Sequence, residues 1–166
     1  MVCADDLEAA EIAVGQILTT SKKRYLIVEE LGRGGYGCVF KVQPQPADGT
    51  EYALKLEKRR EGRDHAKLAM EMNIMKLVGN LKPAQRTHFI DVYDRAKKDK
   101  FFFIVMTLVG ESLQDLKRQR KPPVFSAATA HNVGLQCLQA IEHLHAIGFI
   151  HRDIKPEVPL NQFLGF

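Results

Sequence analysis

The hydrophobic residues in the first half of the chain fall into short runs of β-forming side chains that glycine and proline separate, a pattern that predicts strands. The first run is Arg24 to Leu31, the second Cys38 to Val42 and the third Glu51 to Glu57. Pro44 and Pro46 follow the second run and are expected to end it. Connections this short favour an antiparallel arrangement of the three strands.

A helix and two further strands are predicted next. Leu68, Met72 and Met75 are spaced for one face of a helix running from about Asp64 to Val78. Two more runs of β-forming residues follow, near Phe89 to Arg95 and Phe101 to Leu108. The sequence therefore predicts five strands and one helix in its first two thirds.

The pattern becomes helical after Gly110. A short helix is predicted over Glu111 to Arg120, ended by the two prolines that follow. Ser126 is a suitable N-cap for a long helix that reaches Ile147, and Gly148 is expected to end it. The long helix carries a broad apolar face that is expected to be buried, formed by Val133, Cys137, Ala140, Ile141, Leu144 and Ile147. The whole arrangement is predicted to be α+β in two lobes.

The first 20 residues allow two interpretations. Their apolar positions are roughly at helical spacing, which predicts a short amphipathic helix: Leu7, Ala10, Val14, Ile17 and Leu18. Gly15 disfavours a helix, and a partly ordered leader is the alternative.

Composition narrows the class of protein. With 166 residues, 45% of them hydrophobic, the chain is long enough for one domain with a core. Three cysteines without ligand spacing argue for a reducing compartment and against a zinc site or disulfide framework. The net charge of +4 is spread over several short basic groups. The sequence therefore predicts a cytoplasmic or nuclear protein with neither a nucleic acid nor a membrane as partner.

A glycine-rich segment carries the first candidate chemistry. Gly32, Gly34 and Gly37 have the spacing G-x-G-x-x-G, which alone is weak evidence. A dinucleotide fold needs a helix directly after the glycines, but here a strand follows, which disfavours an NAD-binding domain. The pattern therefore favours a hairpin whose backbone N–H groups approach phosphates. A plain glycine-rich turn is the alternative.

The third strand carries a candidate cation. Residues two apart in a strand share a face, so Ala53 and Lys55 are expected to face one way and Leu54 the core. A small side chain beside a cation suits a site for a flat base and phosphates. Glu71 is the best candidate for an anionic partner of Lys55, and a surface pair between Glu71 and Lys67 is the alternative.

The segment His151 to Pro156 (HRDIKP) is the most specific signal in the chain. A carboxylate on such a loop, that of Asp153, can accept the proton of an incoming hydroxyl. A lysine two residues later, Lys155, can neutralise the charge that develops on a phosphate.

These motifs, in this order, resemble those of the eukaryotic protein kinase family, over about Tyr25 to Pro156. The segments YALKLE, VMTLVGESLQDL and AIEHLHAIGFIHRDIKP are most similar to the casein kinase 1 group, especially its tau-tubulin kinase-like members. The resemblance implies a kinase-like N-lobe with a five-stranded antiparallel sheet and one helix, then the first helices of an incomplete helical C-lobe. The implied divisions are a leader over residues 1–23, an N-lobe and hinge over 24–110, and a partial C-lobe over 111–166.

The resemblance also implies roles for single residues. Lysine at position 155 implies a serine/threonine kinase that uses ATP and Mg²⁺ and acts on a protein substrate. Asp153 would be the catalytic base, assisted by Lys155. The resemblance implies that adenine lies between Leu31, Val39 and Ala53, and that the phosphates lie at the glycine hairpin and at Lys55, which Glu71 orients. It also implies that Met106 lies at the back of the pocket, that Val109 belongs to the hinge, and that the ribose lies near Asp115.

The likeness stops after Pro156. The family has a metal-binding Asn where this chain has Val158, and no Asp-Phe-Gly sequence occurs in the 166 residues. The resemblance therefore implies a truncated kinase, inactive on its own, without metal ligands and with the helix Ser126 to Ile147 free for a partner. The alternative is a non-catalytic kinase-like module that binds a nucleotide or a partner protein.

Overall fold

The fold is described by a computed structural model over residues 11–34, 37–58 and 66–157. The chain divides into two compact units. One consists of Met1–Leu68 and Asp91–Leu108 and contains the sheet. The other consists of Ala69–Ile90 and Val109–Phe166 and contains most of the helical residues.

The first unit is built on a six-stranded antiparallel sheet with the order β1-β2-β3-β4-β6-β5. The five predicted strands are all present, and the predicted α+β fold class is confirmed. Their bounds, with the additional strand first, are β1 Ile17–Thr19, β2 Arg24–Gly34, β3 Gly37–Gln45, β4 Tyr52–Lys58, β5 Val92–Lys97 and β6 Phe101–Thr107.

One face of this sheet forms the core of the first unit. Its cluster of buried side chains alternates along each strand, as the two-residue period of a strand requires. Phe40, Leu54 and Phe103 are completely buried there. Burying each such side chain contributes about 1.5–3 kcal/mol, so this cluster fixes the register of the central strands.

The expectation that Pro44 ends the second strand is wrong. β3 continues to Gln45, and Pro44 lies opposite Tyr25 of β2. The ladder between β3 and β4 extends only to the pair Val42 and Tyr52, so Pro44 lies where β3 pairs with β2 alone. A proline is tolerated at such an edge because its missing N–H removes no central ladder bond.

The predicted N-terminal helix is wrong over the part that the structure describes. Ile17–Thr19 forms β1, which pairs with β2. Gly15 has a φ of +89°, which a right-handed helix does not allow. Ile12 and Leu18 are buried in the core of the first unit. The predicted helix positions Leu7 and Ala10 lie outside the described residues.

The second unit is organised by helices, whose bounds are α1 Ala66–Val78, α2 Pro83–Arg86, α3 Leu113–Arg118 and α4 Ala127–Ala146. α1 begins in the first unit and continues into the second. The side chain of Ser126 caps α4 by accepting from the Thr129 N–H, and Gly148, at φ +87°, follows its end as expected. The short helix α2 is not predicted by the sequence.

A small core joins α1 to α4 within the second unit. It contains Ile74, Val78, Phe89 and Leu144. Phe89 therefore belongs to this core and not to the start of the fifth predicted strand, which begins at Val92. Its packing in a helical core explains why β-forming side chains at this point do not extend the strand.

The long helix is only partly covered. Ala140 and Leu144 of its predicted apolar face are buried, whereas Val133, Cys137 and Ile141 are half-buried. Leu135 and Leu138, outside that face, are 55% and 65% exposed. The described helices include none that is both long and apolar enough to cross a bilayer.

Candidate phosphate-binding face and catalytic loop

The glycine-rich segment forms the end of the hairpin between β2 and β3. Gly32 lies opposite Val39, and Gly34 lies opposite Gly37. Residues 35 and 36, at the tip, lie outside the described residues. A side chain at Gly37 is blocked, because a Cβ there would lie 1.9 Å from the backbone oxygen of Leu56. Gly37 is therefore required for β3 to approach β4 this closely.

The sheet face opposite the core carries the predicted base and phosphate positions. Val39 lies opposite Lys55, and Lys55 lies opposite Ile104. Ala53 lies opposite Met106, and both are almost completely buried. Opposite residues in an antiparallel pair share a face, so Val39, Ala53, Lys55 and Met106 line one surface. Leu54 and Leu56 lie in the core on the other face, as predicted.

Two residues of the predicted nucleotide site, Leu31 and Glu71, are not shown to lie on this face. Leu31 lies at an irregularity between Glu30 and Gly32 and is 45% exposed. Glu71 belongs to α1, but its side chain lies outside the described part of the structure. The orientation of Lys55 by Glu71 therefore stays a prediction.

The end of β6 is hydrogen-bonded to Asp91, the residue that directly precedes β5. Thr107, the last residue of β6, donates its N–H to Asp91 O at 3.0 Å and accepts from the Asp91 N–H through its hydroxyl at 3.1 Å. Val109 follows in the second unit and is half-buried. Its predicted role as a hinge residue stays a prediction.

Asp115 lies in the first turn of α3 and is held by that turn. The Ser112 hydroxyl donates to Asp115 Oδ2 at 2.6 Å and accepts from the Asp115 N–H at 3.1 Å, which caps the helix. The bond from Ser112, together with Arg118, lowers the pKa of the Asp115 carboxyl. Sequence reasoning missed Ser112, although Ser-x-x-Asp before a helix is a capping pattern that could have found it.

The predicted catalytic loop is fixed at both ends. His151 is buried, and its Nδ1 accepts from the Asp153 N–H at 3.2 Å. Arg152 between them has a φ of +65°, in a region that side chains other than glycine rarely adopt. At the far end, Pro156 O accepts from the Gln114 N–H of α3 at 2.9 Å. Gln114 was likewise missed, since a backbone bond leaves no signal in a sequence.

Asp153 and Lys155 form an ion pair on this loop. Lys155 Nζ donates to Asp153 Oδ2 at 2.8 Å, with both side chains about half exposed. This hydrogen bond lowers the pKa of Asp153 and raises the pKa of Lys155. An aspartate carboxyl is ionised at neutral pH even without this shift, and the ionised form is the one that can accept a proton.

A family of known proteins matches most of this chain. The family described as "Protein kinase domain" matches residues 25–160, and this chain belongs to that family. The predicted membership of the eukaryotic protein kinase family is thus confirmed. Proteins of this family use ATP and Mg²⁺ as cofactors.

Several relatives carry kinase names. The Caenorhabditis elegans protein "Putative serine/threonine-protein kinase ZK507.3" is 36% identical over 148 residues, 85% of this chain and 40% of that protein. "Putative serine/threonine-protein kinase K06H7.1" of the same organism is 37% identical over 81% of this chain and 37% of its own length. "Serine/threonine-protein kinase PKH3" of Eremothecium gossypii is 36% identical over 80% of this chain and 18% of its own length. The chain thus spans 40% or less of each of these relatives.

The residues that the structure describes do not include a set of side chains that fits the magnesium ion of the family. Within the described ranges, no group of three or more His, Cys, Asp or Glu side chains could hold a metal ion. Val158, which the resemblance places where the family has a metal-binding Asn, lies outside the described residues. No chemical step is therefore assigned to a metal in this chain.

Proposed function

We propose that this chain is the nucleotide-binding part of an ATP-dependent serine/threonine protein kinase of the casein kinase 1 group, similar to tau-tubulin kinases. The observation that carries the proposal is the shared face of Val39, Ala53 and Lys55 beside the glycine hairpin. A buried small residue next to a strand lysine leaves room for a flat base and supplies a cation for phosphates. The YALKLE and VMTLVGESLQDL segments support the subgroup.

The proposed roles in the reaction follow from the charges of the loop. In the kinase of which this chain is the proposed nucleotide-binding part, a serine or threonine oxygen of a protein substrate attacks the γ-phosphorus of ATP, and the bond to the ADP oxygen breaks. Asp153 takes the proton of the attacking hydroxyl, since a carboxylate that is ionised at neutral pH can accept it. Lys155, now paired with Asp153, would turn toward the charge that develops on the transferred phosphate. The contacts proposed for four further residues rest on the resemblance to the family alone: Leu31, Met106, Val109 and Asp115.

We propose further that the 166 residues by themselves bind nucleotide without transferring phosphate. The expected result with radiolabelled ATP, Mg²⁺ and casein is no incorporation above background, because Val158 replaces a metal ligand and no Asp-Phe-Gly is present. Asp153→Asn is the control. Incorporation by the unsubstituted chain that Asp153→Asn abolishes would contradict this prediction and would assign the activity to these residues.

The nucleotide site is tested by Lys55→Met. We expect the Kd for ATP, measured by isothermal titration, to rise about tenfold or more, which corresponds to about 1.4 kcal/mol or more of lost phosphate interaction. Lys58→Met is the matched control, because Lys58 lies three residues along the same strand and therefore on the opposite face. Equal affinities of the unsubstituted chain and Lys55→Met would refute the phosphate site.

A non-catalytic module that binds a partner protein is the second candidate. It is supported by the exposed leucines of α4, Leu135 and Leu138, and by Ile150, which is also exposed. Leu135 and Leu138 both belong to α4, whereas Ile150 lies just beyond its end, and neighbouring exposed apolar side chains are a common feature of protein interfaces. The proposed divisions at residues 1–23, 24–110 and 111–166 and a cytoplasmic or nuclear location rest on the sequence alone.

A further inference from the structure

Arg33 stands between two glycines of the hairpin, yet its side chain is tightly held. Its Nε lies 3.1 Å from each carboxylate oxygen of Glu30, and its Nη2 lies 2.6 Å from Glu30 Oε2. The same Nη2 donates to the backbone oxygen of Ile12 at 3.0 Å. The guanidinium carbon also lies 5.7 Å from the ring centre of Phe40. One side chain thus joins the hairpin to a segment 21 residues earlier in the chain.

Arg33 is not placed to bind the phosphates itself. It lies opposite Cys38, which in turn lies opposite Leu56, and Leu56 belongs to the core face. Lys55 lies on the other face. Arg33 therefore contacts the hairpin on the core face of the sheet, whereas a phosphate bound to Lys55 would lie on the opposite face.

The segment that Arg33 contacts is itself fixed to β2. Ile12 is buried in the core, and Gly15 donates its N–H to Ile27 O at 2.8 Å. Ile27 donates its own N–H to Gln16 O at 2.9 Å. Residues 12–16 are therefore fixed to β2 by backbone hydrogen bonds, and the bond from Arg33 connects them to the end of the hairpin.

We propose that Arg33 is a positioning residue that holds the glycine hairpin in its phosphate-binding conformation by tying it to residues 12–16. A Cβ added at Gly32 or Gly34 would meet no atom within 4 Å, so packing does not fix these residues, and glycine gives the hairpin many alternative conformations. Ordering one residue costs about 1–2 kcal/mol, so a hairpin that is already ordered binds its ligand more tightly. The inference rests on the proposed nucleotide site and adds a link from the N-terminal segment to it.

The test compares three variants of the 166-residue chain. Arg33→Gln keeps most of the side-chain length but removes the charge, and we expect the Kd for ATP to rise about three- to tenfold. Amide hydrogen exchange is expected to become faster both in residues 12–16 and in residues 32–34. Arg33→Lys retains one charged donor and is expected to lie between Arg33→Gln and the unsubstituted chain.

A charge-swapped variant separates the tie from the ion pair. Glu30→Arg combined with Arg33→Glu keeps two opposite charges, but a carboxylate at position 33 cannot donate to Ile12 O. We expect its unfolding midpoint to be close to that of the unsubstituted chain and its Kd for ATP to match that of Arg33→Gln. If the swap restores the Kd fully, the ion pair alone acts and the tie to residues 12–16 is refuted.

The Kd values of the Lys55 and Arg33 variants distinguish the positioning role of Arg33 from the phosphate site at Lys55. If Lys55→Met weakens ATP binding while Arg33→Gln and Arg33→Lys stay within about twofold of the unsubstituted chain, the positioning role is wrong and the phosphate site stands. If Lys55→Met has no effect, the phosphate site is wrong. Should Arg33→Gln fail to fold, the exchange and affinity of Arg33→Lys decide the question.

Discussion

Replacing Gly37 by alanine is expected to destabilise the first unit by about 3 kcal/mol, the upper end of the usual cost of overpacking. The new Cβ would lie 1.9 Å from the Leu56 backbone oxygen and 2.9 Å from its carbonyl carbon. Both are atoms of a central strand, so neither can rotate away as a flexible side chain would. The hairpin must move off β4, and nucleotide binding is expected to fall with it. Urea unfolding followed by circular dichroism measures the first effect, and isothermal titration with ATP the second.

Gly34→Ala is the matched control in the same hairpin. Gly34 lies directly opposite Gly37, but a Cβ there would have no atom within 4 Å. The free energy of unfolding of the Gly34→Ala variant is expected to differ from that of the unsubstituted chain by less than about 1 kcal/mol, because the added methyl group also restricts the unfolded chain. If both variants are destabilised equally, the close approach to Leu56 is not the reason for glycine at position 37.

The arrangement of the central strands could be predicted because it depends on a period of two. Ala53 and Lys55 alternate with Leu54 and Leu56, and burial of the two leucines decides which face becomes the core. The N-terminal segment could not be predicted in the same way. Its apolar spacing is compatible with a helix, and only pairing with β2 and the positive φ of Gly15 select a strand for residues 17–19.

Candidate residues could be named from the sequence, but their geometry could not be predicted from it. The pair Asp153 and Lys155 could be named from the HRDIKP segment, and the structure adds their hydrogen bond. The contact from Arg33 to Ile12 could not be predicted, because its acceptor is a backbone oxygen that any residue carries. Interactions of this kind depend on tertiary packing and leave no residue pattern.

Phe103→Ala is expected to have the largest effect on stability, a loss of about 3–5 kcal/mol. Phe103 is completely buried between neighbouring strands, next to Phe101, whose ring centre is 6.2 Å away. The total stability of a domain is usually about 5–15 kcal/mol, so this single cavity would remove a large fraction of it.

Phe102→Ala tests whether that loss arises from the cavity or from the strand itself. Phe102 is the neighbouring residue on the opposite face, which is only half-buried, and it lies opposite Glu57 and Lys97. We expect less than half of the loss seen with Phe103→Ala, measured by urea unfolding. An equal loss would mean that β-propensity in β6, and not burial on the core face, stabilises the sheet. In that case the core would not be what fixes Lys55 on the proposed phosphate-binding face, since the register of β4 would depend on backbone pairing alone.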